Sequence, residues 1–131
     1  MSERELGVRR IVMEGFARDG APPEVEDRAY LTALAQRRVV VLDEGDQGRI
    51  LMAHPFASPG AGTSVASGDR VWWGSCAWDG LGIVAALGLQ DGCLNSAGFE
   101  LNLRDGRIVE ADSLFHVAVP ARVWWDDIAF T

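Results

Sequence analysis

The sequence predicts an α+β fold: a helical, winged-helix-like N-terminal part packed on a core of short, mainly antiparallel strands, with one buried helix. Three observations carry this prediction. The first third of the chain spaces its apolar residues at helical intervals. Short apolar runs then alternate with turn-forming stretches that hold most of the chain's 15 glycines. One later apolar run, residues 77–87, is long enough for a helix and ends at Gly88. The chain divides into a winged-helix-like region over residues 1–56 and an α+β core over residues 57–131.

Ser2 followed by Glu5 reads as a capping box that starts the first helix. Leu6, Val8, Ile11, Val12 and Phe16 continue it at roughly helical spacing, and Gly20 stops it. Pro22 and Pro23 open a second helix, because proline is tolerated in a first turn. Val25, Ala29, Leu31, Leu34 and Ala35 form its buried side, and Arg37 and Arg38 suit the negative end of its dipole. A strand over 39–42, a turn over 43–48 and a returning strand over 49–53 complete a helix, helix, hairpin order. Residues 55–62 are a Pro/Gly/Ser-rich connector.

Strands over 63–66 and 70–73 flank the turn Ser67-Gly68-Asp69. After the helix over 77–87 come short strands at 93–95, 99–103 and 107–109, the last two joined by an Asp105-Gly106 turn. A further strand is expected over 114–119, and Pro120 opens a short helix through Trp124, Trp125, Asp126 and Asp127.

Composition limits the function. A chain of 131 residues, 48% hydrophobic and 24% charged, can bury a real core. The longest apolar runs, such as residues 39–42 and 83–87, are too short to span a bilayer, so no membrane partner is expected. The first residues are charged, without the apolar stretch of a signal peptide, so a cytoplasmic protein is expected. A net charge of −7 argues against nucleic acid as a partner. Two cysteines without an export signal suggest reduced thiols.

The chemistry concentrates at Cys76-Ala77-Trp78-Asp79. A helix starting at Ala77 puts Cys76 at its N-cap, where unpaired N–H groups and the positive dipole end favour a thiolate. Asp79 lies one turn on, on nearly the same face. Its carboxyl group can deliver a proton, provided that partial burial keeps it protonated. An arbitrary Cys-x-x-Asp is more often a small core cysteine with a first-turn acid, so the surroundings decide. Trp72, Trp73, Trp78, Trp124 and Trp125 wall a pocket around Cys76 or else fill a core. His54, before Pro55, reads as a turn residue, and His116 as a core histidine. No cluster with zinc-ligand spacing is present in the sequence.

The stretch from Trp73 to Gly88 resembles the active-site segment of the organomercurial (alkylmercury) lyase family. The flanking pieces agree in order: the Ala53-His54-Pro55-Phe56-Ala57 turn, a second hairpin, the Cys-Ala-x-Asp helix and a cysteine-containing strand at Cys93. A Val119-Pro120 step and a Trp-Asp segment follow. The resemblance spans most of the chain and is strongest between Met52 and Phe99. It implies protonolysis of a carbon–mercury bond without an organic cofactor. Two thiolates hold mercury, an aspartic acid protonates the departing carbon, and a small thiol or a partner protein takes the metal. Cys76 matches the first catalytic cysteine and Asp79 the aspartate; Cys93 matches a further, structural cysteine. The family's second catalytic cysteine would fall at Thr131 or immediately beyond, where this sequence has none, so the chain reads as a shortened or divergent member.

Cys93 is the candidate replacement ligand, although a buried structural role suits it better. Trp78 is a candidate substrate contact. Two other functions fit the same residues. One is thiol–acid chemistry on an organic substrate; the other is binding or sensing of a soft metal without turnover. A fragment without activity of its own is a further reading, and an apolar edge at the end of the chain would then be covered by a second copy.

Overall fold

A computed structural model describes all residues except 47, 111, 115–119 and 127–131. The chain is α+β, as its sequence predicts. Helix α1 (Glu3–Asp19) starts at the expected capping box: the Ser2 hydroxyl accepts from the Glu5 N–H at 3.2 Å, and the Glu5 carboxylate accepts from the Ser2 N–H at 2.5 Å. It ends at Gly20, whose φ of 66° is left-handed. Any side chain there would also collide with the Val71 carbonyl, because a Cβ would lie 2.2 Å from its oxygen.

Helix α2 (Arg28–Gln36) starts later than expected. Pro22 and Pro23 lie in the loop before it, and the Pro23 ring fills the space over Gly15 of α1, where a Cβ would come within 2.6 Å. The prolines thus pack against α1 instead of opening α2. Leu31 and Leu34 are fully buried between the helices, as their spacing predicts. Arg37 at the end of α2 reaches Glu5 at 3.3 Å and ties the two helices together.

One antiparallel sheet of eight strands follows, in the order β1-β2-β3-β5-β4-β6-β7-β8. Its strands are β1 (Val41–Leu42), β2 (Ile50–Ala53), β3 (Phe56–Ala57), β4 (Thr63–Ser67) and β5 (Arg70–Gly74), then β6 (Gly92–Ser96), β7 (Phe99–Arg104) and β8 (Arg107–Ile108). The expected hairpin β1–β2 forms, and β2 continues through β3 to β5, so the same sheet runs on into the later strands. Strand β3 lies inside the stretch read as a connector. Its single ladder contact to β5, Ala57 opposite Trp73, is a long-range pairing with no local signal.

Helix α3 (Ala77–Leu87) has the expected bounds, with Gly88 closing it at φ 60°. It joins β5 to β6, which both pair antiparallel with β4 and therefore run parallel to each other. The helix bridges over β4 between them. Side chains alternate across a strand, so Thr63, Val65, Trp72, Gly74, Leu94 and Ser96 share one face. That face carries α3, whose Gly80 sits against Leu94 and Thr63. It also carries α1, whose Ala17 carbonyl accepts from the Trp72 indole N–H at 2.9 Å. The core lies between this face and the helices, with Phe16, Trp72 and Ile83 at its centre.

The Asp105-Gly106 turn forms as expected, with φ of 49° and 72°. After Pro120 a short 3-10 helix (Ala121–Val123) stops before Trp124. The strand expected over 114–119 falls, apart from Leu114, outside the described residues, as do His116, Asp127 and Thr131. Among the described residues no helix is long and apolar enough to cross a membrane.

Candidate active site at the start of α3

Strand β5 delivers the chain to Gly74, and Ser75-Cys76 turn it into α3. Cys76 is the N-cap residue, with extended backbone angles of φ −143° and ψ 173°. Its carbonyl accepts from the Gly80 N–H at 3.0 Å, while its side chain makes no capping hydrogen bond. The thiol is half-buried. The position expected from the sequence is therefore the position observed.

Asp79 sits one turn on, directly against β5: a Cβ on Gly74 would lie 2.9 Å from the Asp79 Cβ. The absent side chain lets the helix approach the strand closely. The Asp79 side chain is only 12% exposed, and one of its oxygens accepts from two Ser75 donors and faces His54. The Ser75 hydroxyl donates to Oδ2 at 2.5 Å, the Ser75 N–H to the same atom at 3.3 Å, and His54 Nδ1 lies 3.4 Å from it. Burial is the largest influence on this carboxyl and pushes its pKa up. The hydrogen bonds from His54 and Ser75 and the nearby imidazole charge together outweigh it, so Asp79 is held below its ordinary range. Partial burial does not keep this acid protonated. Its proton partner is His54, whose pKa is raised by the hydrogen bond to Asp79 against the opposing effect of burial.

His54, which the sequence marks only as a turn residue, belongs to the site. It follows Ala53 at the end of β2 and precedes Pro55 across a cis peptide bond. The turn is seated on α3, with the Pro55 ring 3.0 Å from where a Cβ on Gly82 would be. Trp125 meets the imidazole edge to face at 6.0 Å, and the Arg38 guanidinium lies 5.4 Å from the centroid of that indole. The signal in the sequence was a histidine at a strand end, within the same Met52–Phe99 stretch as Cys76. Its partner lies too far along the chain for periodicity to reveal it.

The other candidates lie apart. Cys93 is on β6 next to Leu94, so it points to the sheet face away from α3. Asn95, two residues on, donates to its sulfur at 3.1 Å. Burial, with further contributions from Glu100, raises the pKa of this thiol. Cys76 and Cys93 are thus on opposite sides of the sheet. Trp78 is 67% exposed on α3, and Trp72 is a core residue at 2%. Trp73, Trp124 and Trp125 are half-buried, and Trp125 stands against the His54 ring. A cleft of about 420 Å³ between the α1–α2 loop and the β1–β2 turn is lined by none of Cys76, Asp79 and His54. Among the described residues no group of three or more His, Cys, Asp and Glu side chains is placed to hold a metal ion.

The class defined here is an α+β scaffold that presents a thiol and a histidine-paired acid at the head of a crossover helix. Among solved structures, the chain is similar to the mercury-bound form of MerB2, with a TM-score of 0.63 and 20% sequence identity over 84% of this chain. The match covers 60% of that chain's length, and at this identity it shows a shared fold. No protein-family model and no curated protein matches the chain.

Proposed function

We propose that the protein cleaves a carbon–mercury bond by protonolysis, with Cys76 as the thiolate that holds mercury and Asp79 as the group that delivers the proton. The observation that supports this best is the pair itself: Cys76 at the N-cap of α3 and Asp79, largely shielded from solvent, one turn on. The fold is shared with a mercury-bound protein, and the Cys-Ala-x-Asp helix carries the resemblance to organomercurial lyases. Mercury is soft and thiolate is the softest ligand a protein offers. Sulfur donation makes the attached carbon basic, and a positioned acid completes the cleavage. Cys93 faces the other way, and a small thiol in solution can supply a second sulfur to mercury and carry off the product.

Phenylmercury with excess small thiol tests this reading through release of benzene. The wild type is expected to turn over. Cys76→Ser should lose both mercury binding and turnover. Asp79→Ala should bind mercury and lose turnover by roughly 10²-fold or more. Cys93→Ser should retain both. Stoichiometric binding without benzene would instead make the protein a soft-metal binder.

A further inference from the structure

Resting on that reading, we infer that His54 is a positioning residue for the proton transfer: its Nδ1 faces Asp79, and it stores the proton that Asp79 passes to the departing carbon. The geometry is specific. His54 Nδ1 and both Ser75 donors converge on Asp79 Oδ2. A carboxylate with two donors and an imidazole at one oxygen is stabilised as the anion and is a poor resting store for a proton. The imidazole beside it is the natural store, because it can be charged near neutral pH. His54 is itself fixed from several sides. Ala53 before it is 1% exposed, Pro55 after it packs on α3, and Trp125 stands against its ring. Of the charged groups around it, Asp79 of α3 faces Nδ1, and the Arg38 guanidinium lies over Trp125.

The step balances with one proton on the pair and a small thiolate as co-ligand. His54 passes that proton to Asp79, Asp79 gives it to the carbon, and the anion [R–Hg(S–Cys76)(SR′)]⁻ supplies the electron pair of its carbon–mercury bond to form the new C–H bond. R–H leaves, and neutral Hg(S–Cys76)(SR′) remains. The pair goes from neutral to a single negative charge, with His54 neutral and Asp79 ionised. Water then restores the proton.

His54→Asn tests this, because its amide can donate to Asp79 but cannot carry the proton. With phenylmercury and excess thiol, H54N should still bind one mercury at Cys76. Benzene release at neutral pH should fall by roughly 10²-fold. The pH at which turnover fails on the alkaline side should also move down, since the proton must now sit on Asp79 alone. A structural role would lower the rate without moving that limb. In parallel, the His54 imidazole, followed by NMR, should titrate at lower pH in Asp79→Asn than in the wild type. An H54N profile that superimposes on the wild type, or an unchanged His54 titration, overturns the inference while wild-type benzene release upholds the lyase reading. Absence of benzene from the wild type overturns both.

Discussion

Asp79 shows how a few contacts can reverse the effect of burial. A carboxyl only 12% exposed should resist ionisation, yet His54 and Ser75 hold it ionised. The consequence for stability has two limits. The folded Asp79 titrates below its ordinary 3.8, so its contribution is present above that value and is lost as pH falls through the folded pKa. The folded His54 titrates above its ordinary 6.5, so its contribution is complete below 6.5 and is lost as pH rises through the folded pKa. The pair is whole between those limits. Asp79→Asn should therefore cost about 1–3 kcal/mol there, the scale of a buried polar group losing its partner. The difference should shrink in stronger acid and in alkali. Urea denaturation of both proteins across pH measures it, and a difference independent of pH would contradict the pairing.

At the scale of elements, the site depends on how closely α3 approaches β5. Gly74 is not in a left-handed conformation, so its importance is one of space. A Cβ there would meet the Asp79 Cβ at 2.9 Å, the Pro55 carbonyl at 3.2 Å and the Gly80 nitrogen at 3.3 Å. Two of these are backbone atoms and cannot swing aside. Gly74→Ala should push the head of α3 from the strand and from the His54 turn. The expected cost is about 1–3 kcal/mol in urea denaturation, as for other overpacked sites. Turnover should fall although every proposed catalytic side chain remains. A variant with wild-type stability and wild-type rate would show that this approach is dispensable.

The same scale separates what was legible in the sequence from what was not. The bounds of α3, its closing Gly88, the β4–β5 hairpin and the Asp105-Gly106 turn are written locally, in periodicity and turn residues. The thiol at the helix head follows directly from those bounds. By contrast, β3 is joined to the later strands because Ala57 finds Trp73, and the start of α2 is displaced because Pro23 finds Gly15. His54 became part of the site because Asp79, 25 positions later, reaches its ring. Each of these depends on a partner remote in sequence, which propensity and spacing do not encode. The position of Cys93 was half legible: alternation along β6 sets its face, but which face carries the helix needed the fold.

Across the whole molecule, one sheet carries two helices on one face, and α3 crosses over β4 to join two parallel neighbours. Strand β4 is hydrogen-bonded on both sides, to β5 and to β6, and Val65 at its middle is 1% exposed. Cys76 and Asp79 follow Gly74 of the neighbouring β5 within the first turn of α3. Binding residues are more often carried on loops that can open independently. Here the thiol has no such loop to move with. In native-state hydrogen exchange, the Gly80 amide, bonded to the Cys76 carbonyl, should open only with the amides of β4, at the free energy of global unfolding. Exchange of Gly80 on the timescale of exposed turns would show that the helix head frays. If the two open together, the site is assembled before any substrate arrives and disappears only when the whole protein unfolds.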